Sequence, residues 1–268
     1  MLLERLISLL ILIPLAIGAV YLGGWFFAAF VLIAMLMSAW EFSRLFKSGG
    51  YRPAEILLLI TVGVTIVIRY LFGVSGSTIV LSVGFLAAMA WHTVDQQRGA
   101  EKSASDLAIT VCGMVYLGWL GAYAVSLREL PGGLWWSLLV IPAISLADGA
   151  AYFVGRAFGR HKMMSKVSPK KSWEGYIGGV IIASLLSAGF GYLWNAMTPD
   201  ITPLRGLIVG LVVSMIAPLG DFGESMIKRE FGVKDSSHLI PGHGGFLDRI
   251  DSTIWAIVIG YFLITLFW

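Results

Sequence analysis

Apolar residues in this chain come in long, nearly continuous runs rather than at the spacing of an amphipathic helix or strand. Nine stretches, near 6–23, 25–40, 54–71, 77–93, 107–126, 133–154, 174–195, 203–220 and 252–268, could each span, or nearly span, a hydrocarbon layer about 30 Å thick. Lipid offers no hydrogen bonds, so the backbone must satisfy itself, and runs of this kind are read as helices. Barrel strands would alternate between apolar and polar residues, and these runs do not. The pattern predicts an all-α integral membrane protein with about nine transmembrane helices. The opening MLLERLISLLILIPLAIGAVYLGG has the charged start and apolar run of a signal peptide. It shows no convincing small-residue cleavage site before more apolar sequence follows, so it reads as a retained first helix.

Composition agrees. Of 268 residues 57% are hydrophobic and only 13% charged, and the mean hydropathy is +0.83. A soluble domain of this size has too little interior to hide so much apolar surface. Disordered, collagenous and coiled-coil classes are excluded by the same numbers. A single cysteine, Cys112, rules out a disulfide framework and any multi-cysteine metal site.

The net charge of +3 is small, but its placement is informative. With the N-terminus in the cytoplasm, only Arg69, Arg128 and Arg205 fall on the far side, and the other sixteen of the 19 basic residues lie inside. Nine spans with a cytoplasmic N-terminus and a far-side C-terminus are therefore expected. Two inside connections, 155–173 and 221–251, are long, charged and rich in Gly and Pro. The chain divides on this basis into an N-terminal membrane region, 1–130, holding spans one to five, and a C-terminal catalytic region, 131–268, holding spans six to nine.

The segment 221–251 reads DFGESMIKREFGVKDSSHLIPGHGGFLDRID. Asp221, Glu224 or Ser225, and Lys228 are three or four apart and share one helix face; Asp248 and Asp251 share another. Two helix ends can thus offer carboxylates to one point at the membrane surface. Carboxylate oxygens are what Mg²⁺ prefers, and Mg²⁺ commonly holds phosphates too. Lys228, Arg229, Lys234 and Arg249 can neutralise phosphate oxygens. The turn Pro241-Gly242-His243-Gly244-Gly245 lets backbone approach a ligand closely. The bland alternative is a solvated loop. It suits any one of these charges, but acids at the edges of apolar spans are costly unless paired or metal-bound.

The segment 155–173 carries Arg156, Arg160, Lys162, Lys166, Lys170 and Lys171. It reads either as a topology signal or as a polyanion site beside a helix that Ser172 could cap. Asp148 lies within span six, where an ionisable residue is a functional candidate by default, with a metal-binding or an ion-pairing role. His92, His161 and His238 read as hydrogen-bonding residues and Cys112 as inert packing. Trp135 and Trp136 fit an interfacial belt. Gly175 and Gly179 form a GxxxG suited to close helix packing. No Walker A, Rossmann, zinc or GxSxG signature is present.

The stretch 225–251 resembles the signature of the CTP:phosphatidate cytidylyltransferases, the CDP-diacylglycerol synthases. That signature is a Ser, Lys-Arg, four residues, Lys-Asp, then His-Gly-Gly and Asp-Arg-x-Asp. Here it stands as Ser225, Lys228-Arg229, Lys234-Asp235, His243-Gly244-Gly245 and Asp248-Arg249-Ile250-Asp251, without departure. DGAAYFVGRAFGR (148–160) and SPKKSWEG (168–175) are also similar to that family, whereas the first 130 residues match in character only. The resemblance implies transfer of the cytidylyl group of CTP to phosphatidate, giving CDP-diacylglycerol and pyrophosphate. It implies dependence on Mg²⁺ or Mn²⁺, with a second cation possible, and a homodimer. The expected catalytic residues are Asp221, Lys228, Asp248 and Asp251. Arg156, Lys170, Lys171, Ser225, Arg229, Lys234, His243 and Arg249 are expected to bind substrate. Asp221, Asp248, Asp251 and Asp148 are the candidate metal ligands. The expected setting is a bacterial cytoplasmic membrane with the site facing the cytoplasm. Two alternatives stand beside this reading: a CTP-dependent enzyme with another lipid acceptor, and an ion-coupled transporter using Asp148 and Asp221.

Overall fold

The computed structural model describes residues 2–240, 242 and 244–268, with side chains from Leu10 onward. It is built almost wholly of helices: α1 (Leu2–Leu22), α2 (Gly24–Ser48), α3 (Glu55–Gln97), α4 (Ser103–Gly113), a π-helical stretch Met114–Leu120, α5 (Tyr123–Arg128), α6 (Gly133–Phe158), α7 (Trp173–Asn195), α8 (Pro203–Ile216), α9 (Pro218–Glu230) and α10 (Leu247–Phe267). All nine apolar stretches fall on these helices. Among the described residues, seven helical segments are long and apolar enough to cross a membrane. The protein is an all-α integral membrane protein. Its exposed side chains include Phe72, Phe153, Tyr192 and Leu266, which only lipid solvates without cost.

The difference between seven and nine has two sources. The first apolar stretch is described with side chains only over Leu10–Leu22, too short a span to count. The third and fourth stretches are joined in α3, whose 43 residues would reach about 65 Å if straight. The helix is broken inside by Gly73, with φ 65° and ψ −157°, a conformation open to glycine and strained for other residues. Arg69, one turn before the break, is buried. It donates to Ser77 Oγ beyond the break (2.7 Å) and to Ser126 Oγ (3.0 Å), and its guanidinium lies over the rings of Trp119 and Tyr123. The sequence reading placed this arginine in a far-side connection; the fold uses it to tie the two parts of α3 together.

Packing groups the chain into two compact units, 1–126 with 230–249, and 127–229 with 250–268. In the first, α2, α3, α4 and the π-helical stretch pack around Phe42, Leu58, Met114 and Leu117. The segment 230–249 joins this unit through Phe231, whose ring meets Phe46 edge-on at 5.1 Å and covers Gly49.

In the second unit α7 packs on α6 and on α8. The contact surfaces are made of small residues, as expected where no hydrophobic driving force separates helix from lipid. A Cβ on Gly175 would lie 2.7 Å from the Ala151 carbonyl oxygen, and one on Gly179 2.7 Å from that of Ala147. The GxxxG thus packs directly on the α6 backbone. Between α6 and α7, where the sequence suggested a basic loop, a short antiparallel hairpin forms. It pairs β1 (Lys162–Met164) with β2 (Ser168–Ser172), with Lys162 opposite Ser172 and Met164 opposite Ser168. Ser172 ends the hairpin and caps α7, its Oγ accepting from the Gly175 N–H at 3.2 Å.

Candidate active site

α8 ends at Ile216, and Pro218 opens α9 one residue after Ala217. Proline has no N–H to give, so a new helix start falls naturally here. α9 is the polar continuation of an apolar span, and spacings of three, four and seven place Asp221, Glu224, Ser225 and Lys228 on one face. Within the second unit, Gly220 lets α9 approach α10 closely: a Cβ there would lie 2.5 Å from the Asp251 carbonyl oxygen.

That approach gathers carboxylates. Asp221, Glu224 and Asp251 place oxygens within 4.8 Å of one another. Glu224 and Asp251 are buried and Asp221 half-buried. Lysines of two elements meet the cluster. Lys228, itself buried, pairs with Glu224, and Lys171 of β2 pairs with Asp221. Ser225 Oγ donates to Asp221 Oδ1 (3.1 Å), and Asp251 Oδ1 accepts from the Ser252 N–H (2.6 Å). Three carboxylates face two ammonium groups. The donor set is all hard oxygen. That chemistry fits a divalent cation such as Mg²⁺.

Asp221 also lines a cavity of about 330 Å³ in the same unit. Asp148, Arg156, Lys170 and Lys171 share its wall, and Ala147, Ala151, Gly155, Gly175 and Gly179 supply small apolar surfaces. Tyr152, Tyr176 and Phe222 add aromatic faces. The cavity therefore offers cations and acids together with a slot that the close α6–α7 approach keeps free of bulk. Its chemistry suits an anionic phosphate ester with an apolar or flat portion.

The remaining sequence-predicted residues stand as follows. Arg229 is exposed and its Nε donates to the Val167 carbonyl of the hairpin at 3.5 Å. Lys234 and Arg249 are exposed and belong to the first unit. His243, with Pro241, lies outside the described residues. Asp248 also belongs to the first unit. Its Oδ2 accepts from the Ser236 N–H (3.0 Å), Ser236 Oγ (3.0 Å) and the Gly245 N–H (2.8 Å).

Three acids were passed over in the sequence. Glu224 was seen to share the Asp221 face but was not assigned to the cluster. Glu174 holds the base of the basic hairpin, accepting from the Arg160 N–H (3.1 Å) and pairing with His161 Nδ1 (2.6 Å). Glu41 is fully buried in α2.

Comparison with known proteins accounts for this combination. The model of the cytidylyltransferase family matches residues 3–267. A phosphatidate cytidylyltransferase of Synechocystis sp. is 30% identical over 98% of this chain and 96% of its own. That of Pseudomonas aeruginosa is 34% identical over 96% of this chain and 94% of its own. One from Haemophilus influenzae reaches 52% identity, over 47% of this chain and 44% of its own. A match that runs from one end of the chain to the other, through the acid cluster and the basic hairpin alike, leads to one conclusion: the chain belongs to the cytidylyltransferase family.

Proposed function

We propose that this protein is a phosphatidate cytidylyltransferase, transferring the cytidylyl group of CTP to phosphatidate and releasing pyrophosphate. The observation that carries the reading is the double membership of Asp221. It belongs to the three-acid cluster and, with Arg156, Lys170 and Lys171, to the wall of a cavity that is also apolar. Chain-long similarity to relatives named phosphatidate cytidylyltransferase supports it.

In the reaction an oxygen of the phosphatidate monoester attacks the α-phosphorus of CTP. A new P–O–P bond forms, the bond to the β-phosphate breaks, and pyrophosphate leaves with its electrons. The nucleophile comes from the substrate, so the protein has only to align and to balance charge. Arg156, Lys170 and Lys171 offset the charge of phosphate oxygens. Lys228, buried beside Glu224, keeps the acid cluster from carrying its full negative charge. Asp221, Glu224 and Asp251 would hold Mg²⁺ or Mn²⁺, which when bound screens phosphate charge and acts as a Lewis acid. Asp148 lines the same cavity.

The basic-residue distribution supports nine crossings with the N-terminus in the cytoplasm. That orientation turns the hairpin and 221–251 toward cytoplasmic CTP, in a bacterial inner membrane. A homodimer belongs to the same proposal. The transporter alternative fits less well, because the acid cluster is paired with lysines and joined to a cavity rather than strung along a path.

The test is turnover by purified protein in lipid-detergent micelles. Phosphatidate with CTP should yield CDP-diacylglycerol, and diacylglycerol or an isoprenoid alcohol should not react. Chelation of divalent metal should abolish the product and added Mg²⁺ restore it. Preference for another acceptor would overturn the assignment.

A further inference from the structure

Glu41 lies in the C-terminal half of α2, just past the apolar run 25–40, its side chain wholly removed from solvent. An isolated carboxylate in such a place is expensive. Here both oxygens are satisfied by one distant segment. Oε1 accepts from Ser237 Oγ (2.6 Å) and the Phe246 N–H (3.0 Å), and Oε2 accepts from Ser236 Oγ (3.0 Å) and the Leu247 N–H (2.8 Å). Phe246 stands just before α10 and Leu247 is its first residue, where backbone N–H groups have no partner within the helix and attract negative charge. Helix caps are normally supplied from within a few residues of the helix start. This one comes from 205 and 206 residues away in sequence for the two N–H bonds.

Gly245 shows how closely the segment is drawn in. A Cβ there would lie 2.6 Å from Glu41 Cδ and would also strike Ser236 Oγ. The same Ser236 and Gly245 donate to Asp248, the first acid of the Asp-Arg-x-Asp motif. Ser236 Oγ stands 3.0 Å from Glu41 Oε2 and 3.0 Å from Asp248 Oδ2, and its single proton can serve only one of them at a time. The two carboxylates are therefore linked through one hydroxyl and one glycine.

We propose that Glu41 is a positioning residue: it clamps Ser236 and Ser237 together with Phe246 and Leu247 and, through Ser236 and Gly245, fixes the orientation of the Asp248 carboxylate. Its catalytic consequence rests on the cytidylyltransferase reading and on the catalytic role that the family resemblance implies for Asp248; the clamp itself does not.

The experiment compares Glu41→Gln, Asp248→Asn and the double variant in the full-length purified protein. The amide keeps the size but removes the charge and turns a donor toward donors. Trypsin cleavage after Lys234 reads the clamp without reference to activity. It should be about tenfold or more faster in Glu41→Gln, because freed loops open at low cost. An unchanged cleavage rate overturns the proposal. Turnover reads the route: each single variant should lose about 10- to 100-fold, and the double should fall within about threefold of the worse single, because groups acting through one another are not additive. Losses that multiply would mean Glu41 does not act through Asp248, and would overturn it equally. Should the wild type fail to make CDP-diacylglycerol, the functional reading fails and the cleavage comparison alone decides the clamp. If Glu41→Gln does not insert, Ser237→Ala, which takes away one of the four donors, carries the same comparison.

Discussion

Three carboxylates and two lysines packed together inside a membrane protein are stable only as a set, because each charge is affordable through the others. This makes the roles of single residues separable by experiment. Asp221→Asn and Asp251→Asn keep the size and remove the charge. Each is predicted to lower turnover by about 10²–10³, equivalent to about 3–4 kcal/mol of transition-state stabilisation. Part of the loss should return at high Mg²⁺ or with Mn²⁺, measured as metal titrations of the initial rate. Glu224→Gln adds a second effect, because it removes the charge paired with buried Lys228. Breaking a buried pair in this way costs about 3–5 kcal/mol, so this variant should also show a clearly lower Tm by thermal unfolding in detergent. Lys170 and Lys171 line the cavity from β2. Replacing both with Gln should raise KM for CTP or phosphatidate while leaving the amount of inserted protein unchanged.

At the level of elements, the site depends on how closely helices approach. α7 presents Gly175 and Gly179 to the α6 backbone, and both line the cavity. Gly179→Leu would push the two helices apart against the Ala147 carbonyl. It is predicted to cost more than an ordinary surface change, about 1–3 kcal/mol as for overpacking, read as a lower Tm and as lost turnover. The elements differed in how plainly the sequence announced them. Runs of 16 or more apolar residues identify spans by length alone, and each fell on a helix. The hairpin escaped notice because strands of three and five residues, three of the eight being lysine, carry no alternating pattern. The break in α3 depends on one glycine and on Arg69 reaching Ser77, a contact that no periodicity encodes. Among site residues, Asp221, Lys228 and Asp251 were legible from spacing at helix ends. Glu224 was hidden in plain view, because an acid four residues before a lysine reads first as an ordinary helical ion pair. Glu41 was not assigned, because the groups that satisfy it lie about 200 residues downstream.

For the whole molecule, the asymmetry of basic residues is the ground for the proposed orientation. Reporter fusions after residues 48, 100, 165 and 238 should report cytoplasm, and fusions near 74, 130 and 199 the far side. A far-side signal at 165 or 238 would remove the site from its CTP supply. The chemistry of the whole enzyme is tested by following phosphorus. CTP labelled at the α-phosphate and CTP labelled at the γ-phosphate are each incubated with the purified protein, phosphatidate and Mg²⁺, and label is measured in the lipid and aqueous phases. Cytidylyl transfer predicts α-label in the lipid, in amounts matching the pyrophosphate released, with γ-label remaining entirely in the aqueous phase. Appearance of γ-label in the lipid would mean phosphoryl transfer, and absence of both labels would mean no transfer to lipid; either result would contradict the account.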